Sequence, residues 1–435
     1  MRTIISTVLA YAALLAGVLA FIPGAGLLGA VAVSLAVVLG WRDMRTVPRG
    51  VFVVAALALV FALGRDPALI AGAATNMTRL AGLILAVLLL SSVLARSRDL
   101  QKISASLFSG NSLARYASVT FGTALVSIPL NFGSVAVVGS LIAERIRNDG
   151  DSSATRNGTR AVLRGFGVSP IWSPLSISVA LTLTLLPGLG SAQLLSVAMP
   201  FALLVLCAGF VWREPEPAVT RGTLDERASW ASWLRFVSII AAICVGVFVF
   251  SHLYALSYAR AVTLSCLSAV VAGWLLSWFG GNKPRLPNMA NVSNELAIVG
   301  GSAFIGSIIS AVVLGQMGGT VSLPGWAWPL LAALVPWSFF LAGLAGVNPI
   351  VMGTLAGGIL GSIWPTSGVL GLGFAMVSGW GVTAFGTPYA ANALIMERLT
   401  GYPARNASLR WSLALSLSAL ALASLVASSL TLWLA

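Results

Sequence analysis

The stretch Gly165-Phe166-Gly167-Val168-Ser169-Pro170-Ile171-Trp172-Ser173-Pro174 returns later in the chain as Gly379-Trp380-Gly381-Val382-Thr383-Ala384-Phe385-Gly386-Thr387-Pro388. At one fixed offset two glycines, a valine and a proline are identical, and an aromatic and two hydroxyl positions are similar. Each copy follows an asparagine in an apolar run broken by Pro or Gly. These are Asn131 in Pro129-Leu130-Asn131-Phe132-Gly133-Ser134, and Asn348 in Gly346-Val347-Asn348-Pro349. Asn131 lies 42 residues before Ser173, and Asn348 lies 39 before Thr387, so two elements recur in the same order at similar spacing. An internal repeat of this kind constrains the fold before any local propensity does.

Around the two copies the chain is apolar. Of 435 residues 58% are hydrophobic and only 9% charged, against roughly 25% charged in a soluble domain. That excludes a soluble globular enzyme and a disordered chain. Three cysteines, Cys207, Cys244 and Cys266, all in apolar runs, exclude a disulfide scaffold and suggest no metal site. The class is an all-α polytopic membrane protein with about ten to twelve transmembrane helices or half-spans. Its long continuous apolar runs do not suit an outer-membrane barrel. The run from Thr3 leads into further membrane without a convincing cleavage site, so no signal peptide is expected.

The net charge of +13 sits in short loops, which argues for the positive-inside rule and against nucleic acid. Arg42, Arg45 and Arg49 mark one basic loop; Arg96, Arg98 and Lys102 a second; Arg145, Arg147, Arg156, Arg160 and Arg164 a third. Lys283 and Arg285, then Arg398, Arg405 and Arg410, follow. A polar, mixed-charge linker at 213–233 divides an N-terminal half (1–212) from a C-terminal half (234–435), one repeat in each. The first copy has its basic cluster on the N-terminal side, the second on the C-terminal side. With both clusters cytoplasmic, the copies cross the membrane in opposite senses, as in inverted-repeat secondary transporters. The expected location is the cytoplasmic (inner) membrane.

The chemistry follows from what the two copies contain. Gly-x-Gly followed by Ser-Pro or Thr-Pro reads as an unwinding signal, because proline removes a donor and glycine permits unusual backbone angles. Half-helices then meet near the midplane and offer positive N-terminal ends to an anion. Hydroxyls of Ser169, Ser173, Thr383 and Thr387, with freed carbonyls, suit a small cation, and Asn131, Asn348 and Asn392 add amides. A sodium ion near Asn131, Ser169, Asn348 and Thr383 is the one candidate bound ion; no other cofactor is expected. Phe166–Trp212 and the residues between Glu295 and Glu397 carry no charge, so this site would hold an anion without a buried arginine. Arg164 reads as a positive-inside anchor or as an attractor of anions to the mouth. Most tryptophans, including Trp326, Trp328, Trp337 and Trp364, suit an interfacial belt.

At these residues the chain resembles the ion transporter superfamily, which includes the divalent anion/sodium symporters, citrate carriers and arsenite permeases. The resemblance covers the architecture of most of the chain, but its specific motifs cover only the two short stretches. It implies two inverted repeats, each with a re-entrant hairpin and a broken helix. Asn131, Gly133 and Ser134, and Asn348, fall at the hairpin positions; Ser169–Pro174, and Thr383–Pro388 with Asn392, fall at the broken helices. It further implies a small organic or inorganic anion as substrate, an elevator-like shift, coupling to sodium or protons, and a homodimer. The chain lacks the family's Ser-Asn-Thr triplet and doubles the proline in its first copy.

Three other readings compete. A cation/proton antiporter of the same architecture would usually carry an intramembrane acid or histidine, and the repeats contain none. A membrane-embedded enzyme would need more than the lone His252, and no His-Glu-x-x-His is present. An ATP-driven pump would need a Gly-x4-Gly-Lys-Ser/Thr loop, which is also missing.

Overall fold

The computed structural model describes residues 2–95, 97–216, 230–279, 281, 286–316 and 323–434. Arg96, Lys283, Arg285 and most of the 213–233 linker lie outside the described residues. Among the described residues there is no β-strand, and twelve helices are long and apolar enough to cross a membrane. The protein is a multi-pass α-helical membrane protein. Helices are the solution available to such a chain, because each backbone N–H and C=O in hydrocarbon must be satisfied within its own segment.

In chain order the helices are α1 (Arg2–Val18), α2 (Ala25–Gly40), α3 (Thr46–Arg65), α4 (Ala68–Leu94), α5 (Arg98–Ser106), α6 (Ser112–Leu130), α7 (Phe132–Asp149), α8 (Ser153–Trp172), α9 (Ile177–Leu185) and α10 (Ser191–Ala208). The second half gives α11 (Trp230–His252), α12 (Tyr258–Phe279), α13 (Ser293–Gln316), α14 (Ala327–Leu344), α15 (Pro349–Leu355), α16 (Gly361–Ile363), α17 (Val369–Gly386), α18 (Ala391–Thr400) and α19 (Trp411–Leu434). A π-turn, Ala356–Leu360, joins α15 to α16. Packing sorts these helices into two bundles. α1–α4 gather with α12 and α13, and α11 lies on α12. α6–α10 pack with α14–α19. Each half of the sequence contributes to both bundles.

The second bundle has an internal regularity. α6 ends at Leu130 and α14 at Leu344; α7 ends at Asp149 and α16 at Ile363. α8 stops at Trp172 and α17 at Gly386; α9 starts at Ile177 and α18 at Ala391. Each pair lies 214 positions apart, the offset that relates Gly165 to Gly379. The long apolar runs around Asn131, Ser173 and Thr387 are therefore each two helices.

α6 and α7 fold back at Asn131 so that their far ends meet. The Arg145 guanidinium lies 4.7 Å over the Phe108 ring, just ahead of α6. At the opposite end of the molecule α14 and α16 close in the same way, with the Trp328 and Trp364 rings 5.2 Å apart. Both tryptophans are buried, and Trp364 donates to the Gly368 carbonyl (3.0 Å). They close a helix pair rather than line a lipid interface; Trp326, 70% exposed, keeps the interfacial character expected of all four. Basic residues gather at the Arg145 end, in pairs such as Arg2–Asp43 (3.0 Å), Arg235–Asp99 (2.7 Å) and Arg156–Glu214 (3.0 Å).

Candidate functional site

The breaks after α8 and α17 are made by Pro174 and Pro388. Neither has an N–H, so the carbonyls of Pro170 and Ala384, four residues earlier, lose their helical donor. The following short helix supplies one in each case. Ser176 Oγ (3.3 Å) and the Ser178 hydroxyl donate to Pro170 O, and Asn392 Nδ2 donates to Ala384 O (2.9 Å). Ser178 and Asn392 are themselves 214 positions apart. A buried carbonyl left without a donor costs about 1–3 kcal/mol, so these clips hold both breaks open in one geometry. Ser178 escaped the sequence reading, although projecting Asn392 back by the repeat offset finds it. Asn392 was expected to bind ligand; its Nδ2 is committed to the clip, and its Oδ1 remains.

The glycines act differently from the expectation. Gly165, Gly167, Gly379 and Gly381 all lie inside continuous helix, so Gly-x-Gly is not where the chain unwinds. The first glycine of each pair lets its helix meet α6 in the first copy and α14 in the second. A Cβ at Gly379 would stand 2.8 Å from Pro336 Cα of α14, and one at Gly165 would strike the Thr120 carbonyl of α6. The second glycine faces the other copy, Gly167 against Phe385 and Gly381 against Ile171. Small residues at helix crossings let backbones approach closely, and that packing role accounts for all four.

The hydroxyls are buried at the crossing. Ser169 Oγ donates to Phe166 O (2.9 Å), Thr383 Oγ1 to Gly379 O (2.7 Å) and Thr387 Oγ1 to Thr383 O (2.9 Å). Their protons are used within their own helices, and their lone pairs remain. Ser173 Oγ, at the first break, is buried with no hydrogen-bond partner. Such oxygens match the donor set of a hard cation.

The fold-back residues lie beside this crossing. Asn131 adopts φ 48°, ψ −129°, between α6 and α7. Ser134 Oγ is 2.7 Å from Ser127 Oγ across the bend and donates to Asn131 O (2.7 Å). Gly133 sits with Ser91 Oγ of α4 3.6 Å from where its Cβ would be, and Ser91 donates to Leu130 O (3.2 Å). Asn348 caps α15, its Oδ1 accepting from the Ile350 N–H (2.8 Å). Thr383 and Thr387 pack on Gly343, just ahead of the Asn348 bend, so the second bend and second break are brought together. On the first side it is Phe132 that meets the motif, its ring 5.1 Å from Phe166. The 214-residue register sets Asn348 opposite Ser134, so the two asparagines mark both bends but are three positions out of step.

Arg164 is no attractor of anions. It is 1% exposed and spends all five N–H donors on Tyr116, Gly209, Trp212, Trp411 and Ser412. A different arginine enters the membrane interior. Arg79 lies in the middle of α4, which the reading of charge-free repeats passed over, so the interior does contain a cation. Between α4, α13, α9 and α15 runs a crevice of about 380 Å³, with Arg79 at a small void beyond its inner end.

No protein-family model matches the chain, and no curated protein matches it.

Proposed function

We propose that the chain is a secondary active transporter of a small anion, a carboxylate or an oxyanion, in the cytoplasmic membrane. In this reading α6–α10 and α14–α19 are inverted repeats, α6–α7 and α14–α16 are re-entrant hairpins, and α8/α9 and α17/α18 are the broken helices. The observation that carries it is the antiparallel crossing of α8 and α17. Gly167 meets Phe385 while Gly381 meets Ile171, and one offset of 214 relates both pairs. Two equivalent segments crossing in opposite senses are what an inverted-topology repeat requires.

The breaks bring the N-termini of α9 and α18 into the interior. Each carries roughly half a positive charge and unpaired N–H groups. In this reading Ser169, Ser173, Thr383, Thr387 and Asn392 at the breaks, with Asn131, Gly133, Ser134 and Asn348 at the bends, form the site, and oxygen lone pairs among these hold a coupling sodium ion, or protons provide the coupling. An elevator-like shift of the broken-helix bundle against α1–α4, α12 and α13 then carries the site across. Uptake into proteoliposomes tests this, with labelled carboxylates and oxyanions under sodium or proton gradients. Accumulation of an anion is expected, and it should be abolished in Asn131→Gly and Asn348→Ala proteins that still elute as folded. Asn131→Gly keeps the positive φ open to the backbone and so isolates the side chain.

The cation/proton alternative has one observation in its favour. Glu295, in the first turn of α13, buries Oε2 without a hydrogen-bond partner. Gradient-driven cation exchange that is lost in Glu295→Gln, with no anion uptake, would replace the anion reading.

A further inference from the structure

We propose that the crevice between α4 and α13 on one side and α9 and α15 on the other is a binding station for a small oxyanion or carboxylate, with Arg79 at its inner end. The proposal deepens the transport reading and relies on it only for where the anion goes next. The crevice runs from the Ala68 and Leu314 ends of α4 and α13, away from the basic helix ends, down to Asn76 and Ser307. Beyond them a void of about 10 Å³, room for about one water, is lined by Arg79, Thr184 and Leu181. About 380 Å³ of crevice accommodates a few-carbon carboxylate or an inorganic oxyanion.

Arg79 is eleven residues into α4, about 17 Å along the helix axis and thus close to the bilayer centre. An arginine at that depth is costly, and such residues mark ion or substrate paths. Among the described residues its guanidinium makes no hydrogen bond and no ion pair, and its Nε is buried. Nothing in the fold offsets that charge.

The other polar groups in the crevice add donors. Asn76 Nδ2 donates to Ser307 Oγ (3.0 Å), which leaves the Ser307 O–H free to donate. Ser310 Oγ is buried, has no partner and faces Gly358 of the π-turn. The Thr354 and Thr184 hydroxyls donate to Ile350 O and Ala180 O of their own helices. No Asp or Glu lines the crevice or the void. A surplus of donors around one planar guanidinium fits a carboxylate or oxyanion, which the guanidinium fork can hold through two parallel hydrogen bonds. Because α4 and α13 belong to one bundle and α9 and α15 to the other, an anion bound there bridges both.

Equilibrium binding of labelled acetate, succinate, sulfate and phosphate to the purified full-length protein in detergent, at constant ionic strength, tests this. At least one of the four is expected to bind saturably. Arg79→Gln should weaken it at least tenfold, and Arg79→Lys less. Gly72→Trp provides a second route: a Cβ at Gly72 meets no atom within 4 Å, so the indole fills the crevice mouth without displacing the fold and should abolish binding. Binding unchanged in both Arg79→Gln and Gly72→Trp overturns the station, as does binding of none of the four to the parent protein. Uptake is scored separately: saturable, Arg79-dependent binding without uptake leaves the station standing and removes the transport reading. Uptake that is indifferent to both variants, together with binding unchanged in both, does the reverse.

Discussion

Gly167 of α8 lies against Phe385 of α17 so closely that a Cβ on Gly167 would stand 2.5 Å from the phenylalanine Cβ and 2.7 Å from its backbone N. The equivalent residues meet with the roles exchanged, Gly381 of α17 against the Ile171 side chain of α8. Moving each residue of the first pair by 214 positions yields the second pair. An interface in which one residue meets a second, and their equivalents meet in return, is the signature of a two-fold relationship. Here the exchange lies inside one chain, between the two helices that carry the breaks.

Alanine at Gly167 or Gly381 is therefore expected to destabilise the protein. The obstacle at Gly167 is backbone as well as side chain, so rotamer changes cannot relieve it. Overpacking of this kind costs about 1–3 kcal/mol or more, and Gly381→Ala should suffer less than Gly167→Ala, because most of its obstacle is the Ile171 side chain, which can shift. Thermal melting in detergent checks this, with Gly64→Ala as the control, since a Cβ there meets nothing within 4 Å. Unchanged melting of both Gly167→Ala and Gly381→Ala would show that α8 and α17 do not cross in this way.

Ser178→Ala and Asn392→Ala each remove the clip across a proline-made break. A stability loss of about 1–3 kcal/mol, the cost of an unpaired buried carbonyl, is expected from Asn392→Ala, and a smaller one from Ser178→Ala, because Ser176 Oγ still donates to Pro170 O. Asn392→Ser, which copies the first repeat, should recover part of the Asn392→Ala loss. Chemical denaturation of the purified variants measures the effect, and a neutral Asn392→Ala would mean that the Ala384 carbonyl finds another donor.

Arg164→Lys tests the buried arginine. Lysine offers three donors from one nitrogen in place of five spread over a planar fork, so it cannot reach the Gly209, Trp212 and Trp411 carbonyls together. With charge-assisted hydrogen bonds contributing about 1.5–3 kcal/mol each, a loss of at least about 2 kcal/mol is expected, read as a lower melting temperature. The variant should not change the salt dependence of any anion uptake, because the parent side chain has no N–H left for an anion.

The sequence carried much of this fold in Gly165–Pro174 and Gly379–Pro388. Their offset survives unchanged in four pairs of helix boundaries, and Pro174 and Pro388, the one pair of prolines at that offset, end the two helices that cross. Pro174 and Pro388 mark the breaks after Ser173 and Thr387, and Pro129 and Gly133 flank the bend at Asn131. The role of Gly-x-Gly was not legible in the sequence. Whether a glycine unwinds a membrane helix or admits a neighbouring one depends on what lies across from it, and Phe385 is 218 residues from Gly167. Arg79 was missed for a different reason. It stands outside the repeats, and its significance comes from a crevice formed with α13, α9 and α15, which no local pattern records. Arg164 could not be sorted from the other arginines of its basic cluster until Trp411 and Gly209 were placed beside it.

Acid should loosen the basic end of the molecule in a defined direction. Glu214 accepts from Arg156 Nε (3.0 Å) and Nη2 (3.1 Å) and from Arg160 Nη1 (3.0 Å). The Arg156 hydrogen bonds, above all, hold its carboxyl below the usual glutamate value of 4.5. A carboxylate whose pKa is lowered by folding contributes stability that is complete above its ordinary pKa and disappears as pH falls through the lower folded value. Melting temperature should therefore be flat in Glu214 between pH 7 and about 5, and should fall below that range. The pair is partly exposed, so its contribution is at most about 1 kcal/mol. Asp99, held to about 2 chiefly by its hydrogen bond to Arg235, adds a similar fall at lower pH. Glu214→Gln separates the two: it should lower the melting temperature at pH 7 and leave only the later, Asp99-dependent fall. An unchanged acid profile in Glu214→Gln would mean that the carboxylate is not held by Arg156 and Arg160 in solution.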